Sequence, residues 1–162
     1  MEKKLSVFVV DDDVFYLKSI ILTLNKDFGS KVMFKFFFSS DSLLTKLKAD
    51  DEPVDLILLD YNLEVDDQLQ GVDLVNEIKK IQPKVEVVLV SAQKNNQVIM
   101  SMLKSGASSY VQKNYETFKV VRDLIDSLLK KKFMRSKIFR PLYFFTFIFS
   151  MTLLLLLVFS LL

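Results

Sequence analysis

The chain contains no cysteine and no histidine. Without cysteine there is no disulfide framework and no thiolate chemistry, which fits a reducing compartment. Without histidine there is no histidine base, no imidazole metal ligand and no phosphohistidine on this chain. The last 22 residues, Pro141 to Leu162, have no charged side chain, and no acidic residue follows Asp126. Up to Leu129, 16 Lys and Arg oppose 20 Asp and Glu, a balance of −4, and the other 6 basic residues fall at 130–140. The formal net charge of +2 therefore averages an acidic body and a basic collar. An acidic body lacks the basic face that nucleic-acid binding needs, so no nucleic-acid partner is expected. The only apolar run near the start, Leu5 to Val10, is too short for the core of a signal peptide.

What is present alternates. Leu5 to Val10, Val32 to Phe38, Val54 to Leu59, Val85 to Val90 and Ser108 to Gln112 read as strands, the last of them weakly. Between them lie stretches with a 3.6-residue apolar rhythm. The first places Leu17, Ile20, Ile21 and Leu24 inward, is capped by Asp13 and ends at Gly29. Ser39 to Ala49 turns Leu43, Leu44 and Leu47 inward. Gly71 opens a third helix with Leu74, Val75, Ile78 and Ile81 on one side. Lys94 to Lys104 carries Val98, Ile99, Met102 and Leu103 and closes at Gly106. The fifth, from Tyr115 to about Lys132, faces Phe118, Val121, Leu124, Ile125 and Leu128 inward. Strands that are apolar on both faces and alternate with helices predict a parallel sheet covered on both sides. Right-handed crossovers then favour a flavodoxin-like doubly wound α/β fold, strand order 2-1-3-4-5.

In such a sheet ligands gather at the carboxyl ends of the strands. The first strand ends in Asp11, Asp12 and Asp13, the third in Asp60, the fourth in Ser91 and the fifth near Lys113. Taken singly, each has a plain explanation as a cap, a turn residue or a solvated charge. Together they are crowded carboxylates that repel one another unless a cation joins them. Oxygen donors alone suit Mg²⁺ (or Mn²⁺), and an ammonium with a hydroxyl suits a phosphoryl group. The reading is a cation-assisted phosphoryl site in which a carboxylate is the nucleophile.

Val9-Val10-Asp11-Asp12, Leu58-Leu59-Asp60, Val90-Ser91-Ala92, Gly106-Ala107 and Tyr110-Val111-Gln112-Lys113 together resemble the receiver domain of bacterial two-component response regulators, over residues 5–130. The resemblance implies roles. Asp60 resembles the phosphoacceptor. Asp12, Asp60 and the backbone carbonyl of Asn62 resemble the metal ligands, with Asp11 acting through a water. Lys113 resembles the lysine that pairs with phosphoryl oxygens, Ser91 the switch hydroxyl, and Tyr110 the aromatic that swings in behind it. Asn62 and Gln93 stand where the family tunes dephosphorylation. Catalysis is implied only of the domain's own phosphorylation and dephosphorylation. Two departures stand out. The family usually has a proline where Glu64 stands and a glycine soon after; here the glycine comes only at Gly71, so this acidic loop is longer. The family also favours a proline where Asn114 stands.

Pro141 to Leu162, at 1.5 Å per residue, would extend roughly 33 Å as a helix, enough for a hydrocarbon core of about 30 Å. Lys130, Lys131, Lys132, Arg135, Lys137 and Arg140 precede it, which by the positive-inside rule puts the rest of the chain in the cytoplasm. The expected organisation is a receiver domain over 1–132, a juxtamembrane collar over 133–140 and a single-pass transmembrane tail anchor over 141–162. The expected function is a membrane-anchored signalling module. It would take phosphate from a histidine kinase or phosphotransfer protein and switch the binding of an effector at the lipid bilayer. A phosphate sink or relay intermediate, and a phosphate-independent docking scaffold, are the alternatives.

Overall fold

A computed structural model of the chain describes residues 4–49, 52–61, 63, 71–92, 94–134 and 150. The elements run β1 (Leu5–Val10), α1 (Val14–Phe28), a 3₁₀ turn (Gly29–Lys31), β2 (Val32–Phe37), α2 (Ser40–Ala49), β3 (Leu56–Leu59), α3 (Gly71–Ile81), β4 (Glu86–Ser91), α4 (Asn96–Lys104) and β5 (Ser109–Gln112). Residues 117–134 form a further helix, α5. The five strands make one sheet in the order β2-β1-β3-β4-β5, and every pairing is parallel. The predicted doubly wound α/β fold is therefore the observed one.

Burial explains why these runs become strands. All six residues of β1 and all four of β3 are buried. Phe8, Val10, Ile57, Leu59, Val87 and Leu89 pack into one core with Leu43, Leu44 and Leu47 of α2, Leu74, Val75 and Ile78 of α3, and Met102 of α4. The alternate residues Val7, Val9, Leu56, Leu58, Val88 and Val90 are buried as well, on the opposite face by the two-residue alternation. On its own buried side α1 contributes Leu17, Ile20, Leu24 and Phe28. The chain divides into one compact unit over Met1–Leu124 and another over Ile125–Leu162. In the second, 125–134 are helical and Ile125, Leu128 and Leu129 are buried.

Several predicted boundaries shift. The third strand begins at Leu56 and not Val54; just before it, the Asp55 N–H donates to the Ser6 carbonyl at 3.0 Å and the Asp55 carboxylate accepts the Ser6 N–H at 2.8 Å. The fourth helix is shallower than its periodicity predicts. Of Val98, Ile99, Met102 and Leu103 only Met102 is buried; the other three are half-buried. This helix contacts α3 and the short edge strand β5, so little sheet lies beneath it. Ile21 and Ile81 are likewise half-buried. After α4 the backbone turns at Gly106 with φ 107°, a conformation that L side chains rarely adopt, and a Cβ there would meet Lys79 Cγ at 3.3 Å.

No described helix is long and apolar enough to cross a membrane. The expected transmembrane segment lies outside the described residues except for Ser150, as do Arg135, Lys137 and Arg140 of the collar. Asn62, Glu64 and the rest of the loop to residue 70, and Gln93, are also outside them.

Candidate functional site

The site follows from register. Val10 pairs with Leu59, so the next residues, Asp11 and Asp60, stand side by side at the carboxyl edge. Their backbones extend the ladder by one step: the Asp60 N–H donates to the Val10 carbonyl at 2.9 Å, and the Asp11 N–H to the Phe37 carbonyl at 3.1 Å. On the other flank Ser91 pairs with Gln112, which puts Lys113 one residue past the sheet. The Lys113 N–H donates to the Ser91 carbonyl at 2.8 Å.

From that position the Lys113 side chain reaches back across the strand ends. Its ammonium lies 2.7 Å from Asp11 Oδ2 and 2.6 Å from Asp60 Oδ2, bridging the two acids. Asp11 is 1% exposed and Asp60 6%. The neighbouring aspartates divide the work. Asp13 caps α1, accepting the Phe15 N–H at 2.9 Å and the Tyr16 N–H at 3.1 Å. Asp11 accepts the Asp13 N–H at 3.0 Å. Asp11, Asp12 and Asp60 each offer a carboxylate oxygen, all within 4.8 Å of one another. A cluster of oxygen donors alone fits a hard divalent cation such as Mg²⁺.

Burial raises the Asp11 pKa above its ordinary 3.8, outweighing the Lys113 hydrogen bond and charge that pull it down. Burial also disfavours the charged Lys113, but here the two carboxylates prevail and its pKa rises. The acids thus hold the lysine firmly cationic, while one lysine does not fully compensate the burial of Asp11.

Ser91 is fully buried at the end of β4, and its carbonyl also accepts the Tyr110 hydroxyl at 3.0 Å. The fold therefore gathers Asp11, Asp12, Asp60, Ser91, Tyr110 and Lys113 at one edge.

Two participants escaped the sequence reading. The Lys113 ammonium sits 4.5 Å from the centre of the Tyr16 ring, and that ring stacks on Phe118 at 6.2 Å. The other is Thr117, which is buried at the start of α5. Its Oγ1 accepts the Asn114 N–H at 2.8 Å and donates to the Gln112 carbonyl at 2.9 Å. Asn114 Oδ1 accepts the Glu116 N–H at 2.8 Å. The Lys113–Asn114 bond is trans. An asparagine here thus closes the turn through an N–H that proline lacks. The sequence signal was the Asn-x-x-Thr spacing just before a helix.

The family model for the response regulator receiver domain matches residues 7–135. The chain belongs to this family. Among curated proteins, this receiver domain is 24% identical over 136 residues to the transcriptional regulatory protein ZraR of Klebsiella oxytoca, covering 84% of this chain and 29% of that protein. It is 30% identical over 119 residues to the probable C4-dicarboxylate response regulator DctR of Bacillus subtilis, covering 70% of this chain and 48% of that protein. The receiver thus spans less than half the length of either relative. Its fold matches a CheY-like receiver domain protein from Methanospirillum hungatei with a TM-score of 0.67 at 20% identity, covering 80% of this chain and 99% of that one. It also matches a Burkholderia pseudomallei response regulator, solved with a phosphorylated aspartic acid and a calcium ion, with a TM-score of 0.62 at 17% identity over 73% of this chain and 65% of that one. Receiver domains are phosphoaccepting, non-enzymatic signalling modules that partner with histidine kinases. The cluster of Asp11, Asp12 and Asp60 is typical of the receiver Mg²⁺ site.

Proposed function

We propose that Asp60 accepts a phosphoryl group from a histidine kinase or phosphotransfer protein, and that the phosphorylated domain switches binding of an effector at a membrane. The observation that carries this reading is the Lys113 ammonium bridging Asp11 and Asp60 at 2.7 and 2.6 Å inside a three-carboxylate cluster. An Asp60 carboxylate oxygen would attack phosphorus; a P–O bond forms as the P–N bond to the donor histidine breaks and the imidazole leaves with the electron pair. Lys113 would turn from the carboxylate to the phosphoryl oxygens. Asp11, Asp12, Asp60 and the Asn62 carbonyl would hold Mg²⁺, which supplies charge neutralisation between acids and phosphoryl group. Ser91 would donate to the arriving phosphoryl group and Tyr110 would follow it, while Asn62 and Gln93 would set the rate of hydrolysis.

The test is labelling of the full-length chain by radioactive acetyl phosphate. Asp60→Asn and an excess of EDTA should each abolish labelling, at least a hundredfold, the latter because three carboxylates repel a dianion unaided. Labelling that survives Asp60→Asn at full stoichiometry would overturn the phosphoacceptor; labelling that survives EDTA would overturn the metal.

Residues 1–132 are proposed as the receiver, 133–140 as a basic collar and 141–162 as a transmembrane anchor that keeps the receiver cytoplasmic. The support is the 22-residue uncharged stretch behind six basic residues. Burying each large apolar side chain in lipid gains about 1.5–3 kcal/mol, which salt does not screen. The full-length chain should stay with membranes in carbonate and high salt. Release by high salt would leave a peripheral, charge-held association instead.

A further inference from the structure

We propose that Tyr16 is a positioning residue of the phosphoryl site: the face of its ring holds the Lys113 ammonium over the strand ends, so that the charge meets the phosphoryl oxygens on Asp60. The inference rests on the phosphorylation reading above and adds a residue to it.

The geometry is a short stack. Phe118 stacks on the Tyr16 ring at 6.2 Å with the planes 29° apart, and the Lys113 ammonium lies over the same ring at 4.5 Å from its centre. A cation within about 6 Å of a ring centre is drawn to the electron-rich face. A lysine ammonium at the end of four methylenes is otherwise free to rotate. In the resting site Asp11 and Asp60 fix it from one side. Once Asp60 carries a phosphoryl group as an acyl phosphate, one of those anchors changes its chemistry and the ammonium must shift to the new oxygens. Like the Asp11 carboxylate, the Tyr16 ring is a partner of Lys113 that this reaction leaves chemically unaltered.

The local sequence makes this position rigid. Tyr16 lies in the first turn of α1, and its N–H is tied to Asp13 Oδ1 at 3.1 Å. The Asp13 N–H in turn donates to Asp11 Oδ1 at 3.0 Å, so the ring and the acid belong to one hydrogen-bonded turn. The Tyr16 hydroxyl is buried with no hydrogen-bond partner among the described residues. The role assigned to Tyr16 uses the ring and not the hydroxyl.

The experiment compares initial rates of acetyl phosphate labelling of the full-length chain at saturating Mg²⁺. Tyr16→Phe keeps the ring and should stay within about twofold of the native rate. Tyr16→Leu should slow labelling about 3- to 30-fold, the range a cation–π contact supports. Tyr16→pentafluorophenylalanine keeps the ring's shape while reversing the charge of its face; it should fall with leucine, which separates positioning from packing and serves if leucine impairs folding. Equal rates for phenylalanine and its fluorinated form would overturn the inference, as would a phenylalanine variant as slow as leucine. If the native chain labels on Asp60 and the order is flat, only this inference fails. If the native chain takes no label, the phosphoacceptor reading fails and this one with it.

Discussion

Every residue of β1 and β3 is buried, whereas β5, at the far edge of the same sheet, buries only Val111. The helices repeat the contrast. The buried set of α3 is Leu74, Val75 and Ile78; that of α4 is Met102 alone, and Met100 is 53% exposed. The site straddles this difference. Its carboxylates Asp11 and Asp60 follow the two most buried strands, and its lysine and tyrosine come from the looser flank. Local opening costs least where apolar burial is least. The acids therefore have a fixed frame, and Lys113 and Tyr110, which under the proposed phosphorylation would respond to the phosphoryl group, sit on the part that yields more easily.

Three substitutions sharpen or break that contrast, each read as a shift in denaturant unfolding of the full-length chain. Ile57→Ala, at a fully buried position of β3, should cost about 2–5 kcal/mol. Thr117→Ala should cost about 1 kcal/mol, the usual value of a lost helix-start side-chain bond, since its hydroxyl ties Asn114 to Gln112. Met100→Ala on α4 should change stability by less than about 0.5 kcal/mol. A loss at Met100 as large as that at Ile57 would mean that α4 is core, and the contrast would disappear.

The same contrast marks what was legible in the sequence. Parallel strands covered on both faces must be apolar throughout, so Leu5–Val10 and Leu56–Leu59 stand out as unbroken runs. Strand order then follows from crossover handedness, and the placing of Asp11 and Asp60 follows from strand ends. The flank was harder to read. Val98, Ile99 and Leu103 keep a helical rhythm, but how deeply they sink depends on how much sheet lies below, which α4's own sequence does not encode. The reach of Lys113 to two acids depends on its side-chain rotamer. Nothing in the sequence marks Tyr16, since its meeting with Lys113 joins positions far apart in the chain. Asn114 and Thr117 are readable in principle as a turn pair, through the hydrogen bonds an asparagine makes and a proline cannot.

The Ser91 carbonyl takes two donors, the Tyr110 hydroxyl at 3.0 Å and the Lys113 amide at 2.8 Å. A carbonyl oxygen has two lone pairs, and one hydrogen bond is enough to spare it the penalty of burial without a partner. The tyrosine is therefore a removable second latch on a door that the lysine's backbone already keeps shut. Loss of the tyrosine's hydrogen bond would cost about 1 kcal/mol, and the Lys113 amide would still join β4 to the end of β5 at the level of the site. Under the proposed phosphorylation, a rearrangement beside Asp60 would then travel outward through Tyr110 while the Lys113 amide kept its own bond to the Ser91 carbonyl.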